Sequence, residues 1–377
     1  MSTPEILPKP QTALSQAVSV PNQSTPIPLP LEDLLGSEEH FSIREKFKLV
    51  HISDLHISFQ HYREHIKSFR LLLRALEEDG FDHLLITGDI TSTGIADDFF
   101  IVREILDRAR LLSSDKLTVV PGNHDIFGGF HRAVDVLSFP EGIRSVDYDR
   151  NLNLFAEAFA EAFEGVYRPF EDAFYPFVKF VGPFAIIGLN SIGRWSLLKN
   201  LFGSNGSLDD RQFEGLRALE TSGILKGHIP IIALHHHFNG TARDNAVANN
   251  RWVRIEMQVM KLRKKRKLLR QFQRLGVKYV LHGHIHHNEL YNLRGLQFAN
   301  GGGAVYDDFV EFLKYNVVEC VDGECHLGIV TLPIPFQQRV TSVLGREKLR
   351  TMSSYLKNEV PTAGQIRDAI SKPAVLL

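Results

Sequence analysis

Apolar residues recur along this chain in short, nearly unbroken runs that end on polar clusters, and longer amphipathic stretches separate the runs. The stretches Phe47 to Ile52, His83 to Thr87 and Leu117 to Val120 read as buried strands, since they are too short for helices and rich in strand-favouring residues. Between them Phe69, Leu72, Leu73 and Leu76 fall at helical spacing up to a stop near Gly80, and Phe99, Phe100, Val102, Ile105 and Leu106 are expected on the apolar face of a second helix. This β-α-β-α-β order predicts right-handed crossovers, which place all three strand ends on one edge of a largely parallel sheet. A second series follows at Phe177 to Phe180, Phe184 to Leu189, Pro230 to Leu234 and Val277 to Leu281. Helices are expected over Asp209 to Leu219 and in a segment ending at Leu275, where Gly276 stops it. Strands around Gln297, Phe309 to Val318 and His326 to Leu332 complete the sheets, and Gly301 to Gly303 make a tight turn.

The flanks and insertions have a different texture. Residues 1–45 mix Pro4, Pro8, Pro10, Pro21, Pro26, Pro28 and Pro30 with Ser, Thr and Gln, which predicts a flexible Pro-rich arm before a domain spanning residues 46–335. Residues 126–176 read as a helical insertion, with Phe155, Phe159 and Phe163 one helical turn apart; such a stripe is core packing or a cap over an apolar substrate. A further insertion near residues 238–260 carries Arg251, Trp252 and Arg254, and residues 336–377 read as a polar helical tail.

Composition narrows the classes. With 43 basic and 44 acidic residues the net charge is −1, so no overall field favours nucleic acid or an anionic membrane. Basic surface is local: the helix before Gly276 carries Lys261, Arg263, Lys264, Lys265, Arg266, Lys267, Arg270 and Arg274 opposite Leu262, Leu269, Phe272 and Leu275. Such a run is a solvated face or a peripheral contact for lipid headgroups or polyanions. The two cysteines, Cys320 and Cys325, flank a hairpin turn at Val321 to Glu324 and are expected as free thiols of a reducing compartment rather than a cross-strand pair. No secretory leader pattern and no bilayer-length apolar stretch is visible, so a soluble, cytoplasmic protein is expected.

Chemistry collects at the strand ends. Seven of the 17 histidines lie in two windows, His235 to His237 and His282 to His287. Asp54 and His56 follow the first strand, Asp89 the second, Asn123, His124 and Asp125 the third, His235 a later one, and His284 with His286 the last of the series. Each element alone has a plain explanation as a turn or a helix cap. Their joint occurrence at carboxyl ends of strands, where open α/β sheets bind ligands, points to a metal centre.

These motifs resemble those of the calcineurin-like metallophosphoesterases: Asp54-Leu55-His56, Gly88-Asp89, Gly122-Asn123-His124-Asp125, His235, and Gly283-His284-Ile285-His286. The resemblance covers about residues 47–305 and implies an α/β (α+β) four-layer αββα sandwich of two mixed sheets. It implies two divalent or trivalent metal ions, one held by Asp54, His56, Asp89 and His286, the other by Asp89, Asn123, His235 and His284. Imidazole, carboxylate and amide donors without thiolate suit Mn, Fe or Zn better than Mg or Ca. By the same resemblance a metal-bridging hydroxide attacks phosphorus and His124, which is not a ligand, assists the leaving oxygen. The family often has His-His-Pro where this chain has His235-His236-His237; as the first residue past its strand, His235 is the expected ligand, with His236 second. His51, His282 and His287 are expected around the ligands rather than among them.

The implied activity is hydrolysis of a phosphodiester, such as a cyclic nucleotide or another small diester. The alternatives are cleavage of a pyrophosphate or headgroup bond in a lipid-linked or nucleotide-diphosphate substrate and, in another class, a non-catalytic scaffold of the same fold. The balanced charge argues against a nuclease.

Overall fold

A computed structural model describes residues 46–61, 63–129, 142–200, 203–238, 262–286, 288–305 and 312–333. The Pro-rich arm, the Arg251 to Arg254 insertion and the tail lie outside these residues. The strands are β1 (Lys46–Ile52), β2 (His83–Thr87), β3 (Leu117–Val120), β4 (Phe177–Val181), β5 (Phe184–Gly188), β6 (Ile229–Ala233), β7 (Tyr279–His282), β8 (Asn288–Leu293), β9 (Leu296–Gly301), β10 (Phe312–Val321) and β11 (Glu324–Pro333). The helices are α1 (Arg63–Asp79), α2 (Ala96–Arg108), α3 (Asn123–Phe127), α4 (Tyr148–Ala158), α5 (Asp210–Ser222) and α6 (Lys265–Arg274), with a 3-10 turn at Ala160–Phe163.

One sheet has the order β11-β10-β1-β2-β3, the other β4-β5-β6-β7-β9-β8. Both are mixed: β1, β2 and β3 run parallel, as do β5, β6, β7 and β9, while β10, β11, β4 and β8 are antiparallel to their neighbours. Side-chain alternation builds the layers. Phe184, Ile186, Ile231, Ala233, Tyr279 and Leu281 join the core shared with β1, β2 and β3. The intervening Ala185, Ile187, Ile232 and Val280 join Leu216, Leu219, Leu268 and Phe272 of α5 and α6. Strands buried on both faces in this way read as continuous apolar runs, which is what the sequence shows.

The Phe155, Phe159 and Phe163 stripe belongs to this core. All three rings are buried, and Phe99 of α2 meets Phe155 and Phe159 edge to face at 6.0 and 5.9 Å. Two expectations are corrected. Phe100 is not on the buried face of α2; it is 66% exposed, because Phe99, Val102, Ile105 and Leu106 already fill the stripe that faces the sheet and Phe100 lies one step round the helix. The cysteines are not free thiols. The antiparallel register sets Cys320 directly opposite Cys325, and they form a disulfide across the β10–β11 hairpin. The two-residue turn, Asp322 and Gly323 with φ of 50° and 83°, fixes that register, which composition could not reveal.

Candidate metal centre

The carboxyl ends of β1, β2 and β3 in one sheet and of β6 and β7 in the other meet along one edge of the sandwich. Backbone contacts close that edge: Asp54 N–H donates to Gly88 O at 3.0 Å, Ser53 N–H to Gly301 O at 2.9 Å, and Gly283 N–H to His235 O at 2.9 Å. The approach is so close that only glycine fits at the motif positions. A Cβ on Gly88 would lie 2.6 Å from Gly122 N and one on Gly283 1.9 Å from Ser53 Oγ. Asp54, His56, Asp89 and His284 take positive φ of 56°, 46°, 48° and 76°, a backbone region that side chains with a Cβ rarely adopt. Such strain persists only where surrounding structure enforces it, and it gathers at functional sites.

The resulting cluster brings together every residue expected to be a ligand. Asp54, His56, Asp89 and His286 offer donor atoms to one common point, and Asp89, His235 and His284 to a second, so Asp89 stands in both sets. Asn123 joins the second through Oδ1, 3.2 Å from His235 Nε2. Protonation states show why these atoms would hold cations. His235 Nδ1 faces the Thr87 carbonyl at 2.8 Å, and a carbonyl only accepts, so Nδ1 carries hydrogen. In the neutral ring Nε2 is then a bare lone pair, yet its neighbours are Asn123 Oδ1, His284 Nδ1 at 3.1 Å and Asp89 Oδ2 at 3.3 Å. Without a metal this convergence is relieved by a proton: burial alone would lower the His235 pKa, but the charge and hydrogen bond of Asp89, aided by Asp54, push it up to about 9. His56 Nε2 and His286 Nε2 likewise approach to 3.0 Å beside the two carboxylates. His284 Nε2 is buried without a hydrogen-bond partner. Converging lone pairs on imidazole, carboxylate and amide, with no thiolate among them, fit two metal cations.

Of His235, His236 and His237, His235 is the one among the converging donors. His236 is engaged on both nitrogens by protein, Nδ1 with Ser191 Oγ at 2.8 Å and Nε2 with Ser204 O at 3.2 Å, and stands outside the cluster. His237, where the family often has proline, is buried and stacked on His284 with centroids 5.8 Å apart. His51 bonds Thr87 Oγ1 and Asn316, and His282 bonds the Tyr291 hydroxyl, so both support neighbouring structure. His287 lies outside the described residues.

His124 is partly open to solvent, its ring edge to face with His56 at 4.7 Å. Its backbone N–H donates to Asp89 Oδ1 at 2.8 Å, and its Nδ1 lies 3.3 Å from the Ser92 carbonyl. Asp125 acquires a definite role. Its fully buried carboxylate accepts from Gly122 N–H at 2.9 Å, Thr91 N–H at 2.8 Å, Ile90 N–H at 3.3 Å and the Thr91 hydroxyl at 3.1 Å, tying the Asn123 turn to the Asp89 turn. Ser191 was not singled out from the sequence. Its hydroxyl accepts from the backbone N–H of His235 and His236 and donates to His236 Nδ1, and its only sequence signal is its place after a strand.

Comparison with known proteins shows the family. The sequence profile of the calcineurin-like phosphoesterases matches residues 47–288, well over half of the chain. The chain belongs to that family. An uncharacterized metallophosphoesterase-like protein, YydB, of Bacillus subtilis (strain 168) is 29% identical over 218 residues, 52% of this chain. That match spans 43% of the relative's length. Among solved structures, a dimetal phosphatase from Danio rerio shares 15% identity at a TM-score of 0.47, covering 77% of this chain and 99% of that one. A purple acid phosphatase, PPD1, from yellow lupin (Lupinus luteus) shares 13% at 0.44, covering 78% and 55%. Among the described residues of this calcineurin-like phosphoesterase, no helix is long and apolar enough to cross a membrane.

Proposed function

We propose that this chain is a dinuclear metal-dependent hydrolase of phosphodiesters, with small or cyclic diesters as the substrate class. The observation that carries the reading is Asp89, the one carboxylate common to two adjoining donor sets. Asp54, His56, Asp89 and His286 would hold one ion, and Asp89, Asn123, His235 and His284 the other. When bound, such a pair supplies Lewis-acid neutralisation of phosphoryl charge and a water acidic enough to serve as nucleophile near neutral pH. With two carboxylates against two divalent ions, and a neutral amide at Asn123, the donor set leaves surplus positive charge that draws in an anionic phosphoester.

His124 is the proton donor in this reading. In the imidazolium, Nδ1–H is directed at the Ser92 carbonyl and Nε2 carries the second hydrogen; that proton passes to the departing alkoxide and leaves the neutral Nδ1–H ring. Asp89 Oδ1 holds the His124 backbone, so the acid is placed by the same carboxylate that joins the donor sets. The intact His124 and the complete donor set favour this reading over a non-catalytic scaffold.

The test is a Mn²⁺-supplemented assay of phosphomonoesters, linear and cyclic phosphodiesters and nucleotide diphosphates, run on wild type and His124→Ala. We expect diesters to turn over fastest and the variant to keep both ions while losing about 10²- to 10⁴-fold in kcat. Equal turnover in the variant would remove His124 from the reaction; preference for monoesters would refute the diester assignment.

A further inference from the structure

The loop between β5 and α5 is tied to the metal centre at its base and apolar at its tip. It leaves the sheet at Ser191, whose hydroxyl holds His235 and His236, and returns at Ser207, whose N–H donates to Ser191 O at 2.9 Å. Ser204 O accepts from His236, so the loop rises from the edge that carries the cluster. The buried Asn200 side chain sets its shape: Nδ2 donates to Gly193 O at 2.7 Å, and Oδ1 accepts from Asn205 N–H at 2.8 Å. Asn200 and Ser196 also pair through their backbones, with Asn200 N–H to Ser196 O at 2.8 Å. The turn so clamped presents Leu197 and Leu198, 51% and 92% exposed, with Lys199 exposed beside them. A loop pinned by a buried amide and ending in two solvated leucines is built to show apolar surface.

Cations border it. Arg263 N–H donates to Gly206 O at 2.8 Å, which joins the loop base to the approach of α6. Because α6 leads from the carboxyl end of β6 back to the start of β7, its first turn lies at the same edge as the metal centre. Arg263, Lys264, Arg266 and Lys267 are exposed there. Lys264 pairs with Asp210, and Lys267 lies 3.8 Å from the Phe213 ring centroid, whereas Arg263 and Arg266 have no acidic partner among the described residues.

We infer that the Leu197–Leu198 tip and the Arg263–Arg266 segment dock the catalytic edge onto an anionic lipid surface, so that the phosphoester hydrolysed is one carried at that surface. Among the described residues the two leucines offer far less than a protein partner needs, which is roughly 800 Å² on each side of a stable interface. An apolar tip that enters the acyl boundary beside cations that meet headgroups is the arrangement of reversible interfacial binding. The substrate half of the inference rests on the phosphodiesterase reading; the docking half does not.

The test is co-sedimentation of the full chain with phosphatidylcholine vesicles, with and without roughly a third phosphatidylglycerol. It is paired with Mn²⁺-dependent hydrolysis of soluble bis(p-nitrophenyl) phosphate. Wild type should pellet with the anionic vesicles and release as salt rises. Leu197→Ser with Leu198→Ser should weaken that partitioning by at least about tenfold, and Arg263→Glu with Arg266→Glu should abolish the preference for anionic vesicles. Both variants should hydrolyse the soluble diester at the wild-type rate. Failure of wild type to bind, or equal binding by the leucine variant, would overturn docking whatever the hydrolysis assay shows. Loss of a dimer in the leucine variant would overturn it in favour of a second copy of the chain. Docking without soluble-diester hydrolysis would instead overturn the phosphodiesterase reading.

Discussion

Replacing Asp125 with alanine should weaken the fold and the centre together. The carboxylate is fully buried and accepts three backbone N–H groups and one hydroxyl, from Gly122, Thr91 and Ile90. Deleting it leaves those donors facing a cavity, and each buried unsatisfied N–H costs about 1–3 kcal/mol. Water entering the space would satisfy one or two of them, which brings the expected loss to about 3–5 kcal/mol. Asp125→Asn should lose nearly as much: its amide nitrogen would face backbone N–H groups on one side, setting donor against donor. Because the same contacts fix Asn123 and the backbone that holds Asp89, affinity for a metal pair should fall with stability. Urea unfolding in EDTA measures the first quantity without the second, and Mn²⁺ titration calorimetry measures the second. A stability loss under about 1 kcal/mol in Asp125→Ala, or wild-type metal affinity, would refute this account.

Three other outcomes are measurable in the same way. Asp89→Ala should lose both ions by elemental analysis of the purified protein, since Asp89 belongs to both donor sets; retention of one full equivalent would mean that it does not bridge. Gly88→Ala should destabilise by about 3 kcal/mol or more and disturb metal binding, because its Cβ would meet Gly122 N at 2.6 Å and His235 Nδ1 at 2.8 Å at a φ of +89°. The comparison is Gly80→Ala, also at positive φ but with nothing within 4 Å, which should cost only about 1 kcal/mol in the same unfolding assay. His83 supplies a pH dependence remote from the centre: buried between Asp115 O and the Thr118 hydroxyl, its imidazole is lowered by burial to about 3. The unfolded chain binds a proton below about pH 6.5 that the folded chain refuses until about 3, so stability is full above that window and falls with acidification, by about 2 kcal/mol from about pH 8 to about pH 5. In His83→Gln that share of the slope should disappear from urea titrations across the same range, and an unchanged slope would refute it.

The strands and the identity of the cluster were legible in the chain because their cause is local. A strand buried on both faces must be a continuous apolar run, and the residue after it at a sheet edge is free to be polar; the run from Leu117 to Val120 followed by Asn123 and His124 states both facts in a few positions. The glycines of the motifs were legible as turns. That Gly88, Gly122 and Gly283 are also points where backbone or side chain presses against backbone depends on segments far apart in sequence.

Only the tertiary structure could decide the rest. Whether His235 or His236 enters the cluster depends on Ser191 and Ser204, which hold His236 away from it. Phe100 and Phe99 are chemically the same residue, and the position of the sheet beneath α2 decides which one is buried. The cysteine pair turns on the register of one hairpin. The atoms that Asp125 meets could not be read from the sequence because its partners, Thr91 and Ile90, are more than thirty positions away. Sequence by itself determined which chemistry this chain carries, since residue type and strand pattern are written locally. Which atoms share that chemistry was set by contacts between distant segments, whose geometry exists only once the two sheets have packed.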